Sequence, residues 1–165
     1  MITKKNKYLA EFSSCEKYRY AWVDAWSKGK PLMVIGLNPS TADENKTDPT
    51  IAKCVRLAKG WGYPGLIMCN LFAYRATDPE EMKKQKEPVG EKNDFYIRNC
   101  SLIADKVVAA WGNHGKHLNR SETVREMFDH LFCLKENKNG EPAHPLYLPE
   151  DLYLKLLGKN IDMIV

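Results

Sequence analysis

Four short apolar runs in this chain each lead into a small cluster of polar residues and glycines, and that pattern limits the folds open to it. Pro31-Leu32-Met33-Val34-Ile35 leads into Gly36-Leu37-Asn38-Pro39-Ser40. Leu66-Ile67-Met68-Cys69 leads into Asn70, and Val107-Val108-Ala109-Ala110 into Trp111-Gly112-Asn113-His114-Gly115. A weaker run, Leu131-Phe132-Cys133-Leu134, precedes Ala143-His144-Pro145-Leu146-Tyr147. Runs this short, separated by helix-length segments, read as buried parallel strands. In open α/β sheets, ligands bind beyond the carboxyl ends of such strands. The amides, the imidazole and the glycines are therefore expected to converge on one polar pocket.

The chain has 165 residues. That suits one domain, with residues 1–17 as a loose N-terminal arm. A formal charge of +4 permits contact with phosphates without demanding it. The five cysteines (Cys15, Cys54, Cys69, Cys100, Cys133) are odd in number and form no CxxC. That argues against a disulfide framework or a zinc knuckle and for a reducing, cytoplasmic setting. Cys69, Cys100 and Cys133 sit in apolar stretches and read as small core residues. The basic start of the chain has no apolar segment after it, so it does not read as a secretory signal. No apolar stretch approaches the ~20 residues that span a bilayer.

Residues 18–26 alternate aromatic and other residues and fit an edge strand. Trp22 and Trp26 are four apart, so a helix is the alternative there. A polar loop over residues 41–47 precedes Asp48-Pro49, which reads as an N-cap followed by proline at the first helical position. Ile51, Cys54, Val55 and Ala58 then form a helical stripe. Asp78-Pro79 repeats the cap-then-proline signal. Further helices are expected over residues 91–104, with Phe95, Ile97, Leu102 and Ile103 as apolar members, over 121–131, and over 148–157.

The chemistry-bearing residues follow the strands. Gly36 lets a ligand approach the backbone, and Asn38 offers two donors and an acceptor on a turn stiffened by Pro39. An Asx-type turn is the plainer reading of the same residues. Asn70 either caps a loop or reads the edge of a planar amide such as a nucleobase. Trp111, Gly112 and Asn113 form the densest cluster. His114 and His117 lack further ligands at metal spacing, so no metal is expected. Lys116 and Arg120 are either phosphate contacts or solvated surface. His144, beside Pro145 and apolar neighbours, offers a positioned imidazole that donates to developing negative charge.

These four stretches, in this order, resemble the uracil-DNA glycosylase superfamily. Gly36-Leu37-Asn38-Pro39 is similar to its first motif, Gly-x-Asp-Pro or Gly-x-Asn-Pro. Asn70 matches its pyrimidine-reading asparagine, Trp111-Gly112 its third-strand ending, and His144-Pro145 the start of its last motif. The chain departs from it in two places. No aromatic residue stands between Ser40 and Thr50, so Phe72, Tyr74 or Tyr63 would have to stack on the base, and the last motif reads His-Pro-Leu-Tyr. At closer range the chain resembles a bacterial and phage family of uncharacterised proteins, on Leu-Asn-Pro-Ser-Thr-Ala-Asp at 37–43, Asn-Leu-Phe-Ala at 70–73 and Ala-Trp-Gly-Asn-His-Gly at 110–115.

The resemblance implies a three-layer α/β/α sandwich around a mostly parallel four-stranded sheet. It implies hydrolysis of the N-glycosidic bond of a modified or damaged nucleobase in DNA or a nucleotide, without cofactor, metal or membrane. Asn38 would then position water, and His144 would stabilise the departing base. Gly36, Asn70, Phe72, Trp111, Gly112 and Asn113 would bind the base, and Ser40, Thr41, Lys116 and Arg120 the phosphates. A non-catalytic nucleobase, nucleotide or nucleic-acid binding module is the alternative. A different nucleotide-modifying enzyme on the same scaffold is a third reading.

Overall fold

The computed structural model describes residues 8–41 and 48–158. Most of the loop expected at 41–47 lies outside them. The described residues form an α/β protein with one mixed sheet. Its strands are β1 (Tyr8–Phe12), β2 (Arg19–Ala25), β3 (Leu32–Gly36), β4 (Gly65–Asn70), β5 (Lys106–Ala109), β6 (Phe132–Cys133) and β7 (Lys155–Leu156). They lie in the order β1-β2-β4-β3-β5-β6-β7.

The sheet therefore has seven strands rather than four, and it is mixed. The four expected strands form its middle, β4-β3-β5-β6, with parallel pairing throughout. The pairs β1–β2, β2–β4 and β6–β7 are antiparallel. The aromatic stretch is a strand, as one of its two readings had it, but β1 covers it, so it is not an edge. Part of the expected loose arm, Tyr8–Phe12, is β1 itself.

Helix α1 (Pro49–Gly60) is capped by Asp48, whose Oδ1 accepts from the N–H groups of Thr50 (2.9 Å) and Ile51 (3.2 Å). Helix α2 (Pro79–Lys83) is capped in the same way by Asp78. Helix α3 spans Asn93–Ile103 and helix α4 Arg120–Arg125. The helix expected at 148–157 does not form. A short 3-10 turn over Pro145–Tyr147 precedes that stretch, which carries strand β7 near its end.

Alternate strand residues enter two separate cores. Leu32, Val34, Leu66, Met68, Val108 and Ala110 pack with Ile51, Cys54 and Ala58 of α1. Met33, Ile35, Ile67, Cys69, Val107 and Ala109 pack with Ile97 of α3 and Val124 of α4. The central strands are thus buried on both faces, which is why they read as continuous apolar runs. Cys69 and Cys133 are fully buried, and Cys100 is half-buried against the second of these cores.

Helix α3 differs from its expected phase. Phe95, Leu102 and Ile103 are exposed. Asn93 takes an inward position instead, and its Nδ2 donates to the carbonyls of Asn70 (2.9 Å) and Leu71 (3.0 Å).

Candidate functional site

A cavity of about 600 Å³ opens where β3, β4 and β5 end. Its lining includes Gly36, Asn38, Ser40, Asn70, Trp111, Gly112, Asn113 and His144. The chain leaving β3 and the chain leaving β4 stay paired beyond the strands. Leu71 donates to Gly36 O, Phe72 to Leu37 O and Ala76 to Pro39 O, at 2.9–3.0 Å. The cavity floor is therefore backbone held by backbone.

Asn38 is locked by that pairing. Its Nδ2 donates to Ala76 O (2.9 Å) and Pro39 O (3.2 Å). Two carbonyl acceptors leave one orientation for the carboxamide. The amide donors serve the fold, and Oδ1 remains as an acceptor.

Asn70 is 4% exposed and ends β4 in register with Gly36. Its Oδ1 lies 2.9 Å from where a Cβ on Gly36 would sit. The glycine therefore makes room for the asparagine side chain. Its backbone φ is not in the left-handed region.

Trp111 is 1% exposed. Its Nε1 donates to Glu141 Oε2 at 2.6 Å, and Glu141 Oε1 accepts from Ser121 Oγ at 3.0 Å. Gly115 must be a glycine, because a Cβ there would meet Trp111 Cδ1 at 2.2 Å. Gly112 has φ +73°, in the left-handed region, and its N–H donates to Pro142 O at 2.8 Å. That bond, with Ala143 N to Lys135 O at 2.8 Å, brings the His144 loop over the end of β5. Asn113 faces the same loop and accepts from Asn137 (2.8 Å) and Asn139 (3.0 Å).

His144 caps the 3-10 turn. Its Nδ1 accepts from the N–H of Leu146 at 3.3 Å. An accepting Nδ1 carries no proton, so the proton of the neutral ring sits on Nε2. Burial pushes the imidazole below its ordinary pKa, with Asp48 opposing and Lys53 assisting. Lys53, on α1, donates to Leu148 O and so pins the far end of the turn.

The other expected contacts lie elsewhere. Phe72 is fully buried in the core, its ring 5.6 Å from that of His117, and it does not line the cavity. Arg120 is 4% exposed and internal: its Nε donates to Leu71 O at 2.8 Å, and it pairs with Asp94. Lys116 is exposed but off the cavity. Ser40 lines the cavity and donates to Asp48 Oδ2 at 3.1 Å. Thr41 is bonded to Thr77 at 2.9 Å and stands outside the lining.

The structure adds lining residues that were not among the expected site residues: Arg19, Asp48, Lys135 and Tyr147. Because β2 runs antiparallel to β4, its first residue reaches the carboxyl end of the parallel strands. That residue is Arg19. It is 5% exposed, and its Nη2 is 3.8 Å from Asp48 Oδ2. Burial lowers its pKa and Asp48 opposes the shift, but a guanidinium keeps its charge. Tyr147 is exposed, with its ring 6.1 Å from that of His144.

Among the described residues, no group of three or more His, Cys, Asp or Glu is placed to hold a metal ion. No helix among them is long and apolar enough to cross a membrane.

No curated protein and no solved structure matches this chain. A family model does, over residues 19–146, which takes in the described cavity lining from Arg19 on β2 to Leu146 and leaves out Tyr147 and Leu148. The chain belongs to the family described as protein of unknown function (DUF1643).

Proposed function

We propose that this protein hydrolyses the N-glycosidic bond of a nucleobase, modified or damaged, in DNA or a nucleotide. The observation that carries the reading is the grouping of three side chains around one cavity. They are an asparagine with a fixed free acceptor, an asparagine at a strand end, and an imidazole that offers Nε2–H. Each has a role in one reaction. Asn70 reads the base edge. Asn38 Oδ1 orients the attacking water. The water oxygen bonds to the anomeric carbon as the C–N bond breaks, and the electron pair leaves with the base. A carboxamide cannot take the water proton, so that proton passes to the departed base. The His144 Nε2–H stabilises the negative charge that builds on the base. Tyr147 is the exposed ring available for stacking, in place of Phe72. We read the fold as a glycosylase-like sandwich to which β1, β2 and β7 add antiparallel strands. A duplex substrate would first have its base flipped out, at a cost of a few kcal/mol.

One observation favours a second reading, a non-catalytic nucleobase or nucleotide binding module. Asp48 is the acidic side chain among the described lining residues. Its oxygens already accept from Thr50, Ile51 and Ser40, and it is not free to act as a base. Single-turnover base release from a panel of modified nucleotides and oligonucleotides separates the two. Release by the wild-type protein that is lost in His144→Ala supports the hydrolase. Binding without release supports the module.

A further inference from the structure

The Arg19 guanidinium lines the cavity almost wholly buried, yet among the described residues it donates no hydrogen bond. Its ion-pair partner, Asp48, stands at 3.8 Å, beyond hydrogen-bond reach. Asp48 is already engaged by two backbone N–H groups of α1 and by Ser40. The aspartate balances the charge of Arg19 but does not satisfy its donors. A buried guanidinium at a cavity wall whose fork no described residue fills is suited to receive an anionic group from the cavity.

We propose that Arg19 is the anion receptor of this cavity, and that the ligand is a nucleoside 5′-monophosphate whose phosphate takes the guanidinium fork. This rests on the nucleobase reading above. Three observations support it. The planar fork matches two phosphate oxygens at once. Lys135 adds positive charge to the lining, where Asp48 is the one acidic side chain among the described residues, so an anion is favoured there. A cavity of about 600 Å³ is the size of known small-ligand sites, which suits a whole nucleotide.

The placement also favours a mononucleotide over a base drawn out of a duplex. A duplex backbone runs along the outside of a base pocket, and the exterior cations expected to follow it do not line the mouth. Arg120 is tied to Leu71 and Asp94 inside the fold, and Lys116 lies off the cavity. The unfilled guanidinium is inside.

The test is calorimetric titration of the full chain with the 5′-monophosphates of the four deoxyribonucleosides and of deoxyuridine, each against its own nucleoside. Inorganic phosphate serves as competitor. At least one monophosphate is expected to bind about 10- to 100-fold tighter than its nucleoside, the range of a hydrogen bond to a charged group. Inorganic phosphate should weaken that binding. In Arg19→Gln the nucleotide and nucleoside should bind equally, and in Arg19→Lys the preference should be partly retained. If Arg19→Gln does not fold, the wild-type preference and the Arg19→Lys titration still decide the matter. Equal binding of nucleoside and nucleotide by the wild type, or binding confined to oligonucleotides, overturns this inference and leaves the nucleobase reading standing. No binding of any nucleoside, nucleotide or oligonucleotide overturns both.

Discussion

Gly36 and Asn70 end neighbouring parallel strands in register, and Oδ1 of Asn70 occupies space that a Cβ on Gly36 would contest at 2.9 Å. Gly36→Ala should therefore act through Asn70. Overpacking of this kind costs about 1–3 kcal/mol. The cost should fall sharply in an Asn70→Ala background, because the contested space is then vacant. Thermal or urea unfolding of the four variants measures the coupling. Ligand binding should fall in Gly36→Ala as much as in Asn70→Ala. Equal destabilisation in both backgrounds would mean that the glycine serves the strand and not the asparagine.

His144 carries a pH dependence whose sign follows from burial. Its folded pKa lies below its ordinary value of 6.5. Above pH 6.5 the ring is neutral in both folded and unfolded chains, and no stability is lost. As pH falls from there toward the folded pKa, the unfolded chain takes up the proton first and stability drops. His144→Ala should flatten that part of the stability–pH curve. In the hydrolase reading, turnover stays level near neutrality and declines on the acid side, as Nδ1 gains a proton and loses its bond to Leu146. Single-turnover rates from pH 5 to 8 check this, and a rate that rises on acidification would remove the neutral imidazole from the reaction.

Arg120 should behave as a structural residue. Truncation to alanine leaves the carbonyl of Leu71 without this donor and frees Asp94, at a cost of about 1–3 kcal/mol. The salt dependence of ligand binding should not change. An Arg120→Ala variant with an unaltered melting temperature, whose plot of log affinity against log salt is shallower by about 0.9 (roughly one phosphate contact), would restore Arg120 as a phosphate ligand.

The difference between Arg120 and Arg19 shows where local sequence stops being informative. Asn38, Asn70, Trp111 and His144 were legible together because each follows a buried run, and the parallel pairing of those runs carries them to one edge. Arg120 stands in a polar stretch and reads as a phosphate contact or as solvated surface. What buries it is a bond to Leu71, distant in sequence. Arg19 reaches the cavity through the antiparallel pairing of β2 with β4, a long-range choice with no local sign. Phe72 follows Asn70 closely, a position that suits stacking on a base, but it leaves the strand end toward the core. Helix α3 departs from its expected phase for a different reason. Asn93 fills an inward position because the carbonyls of Asn70 and Leu71 need donors there, so polar satisfaction rather than apolar content sets the helix phase. The strands β1 and β7 were not legible either. One carries a largely exposed pattern and the other is two residues long.

The carboxamide of Asn38 leads to a prediction opposite to a simple motif argument. The first motif that this turn resembles also occurs with aspartate, and Asn38→Asp would be expected on that basis to supply a base for water. Here Nδ2 donates to the carbonyls of Ala76 and Pro39. A carboxylate in that position would face two acceptors and have nothing to donate. The substituted carboxyl should hold its proton, with a folded pKa raised above the unfolded value of about 3.9. Between those two values the folded chain binds more protons than the unfolded one, so stability falls as pH rises. Asn38→Asp should thus be closest to wild type in acid and furthest from it at neutral pH. Asn38→Ala should show a difference from wild type that does not vary with pH. Urea unfolding of the three proteins from pH 4 to 8 gives the comparison. A variant Asn38→Asp that is as stable at pH 7 as the wild type would mean that the turn can reorient, and that the carboxylate is free to work on water.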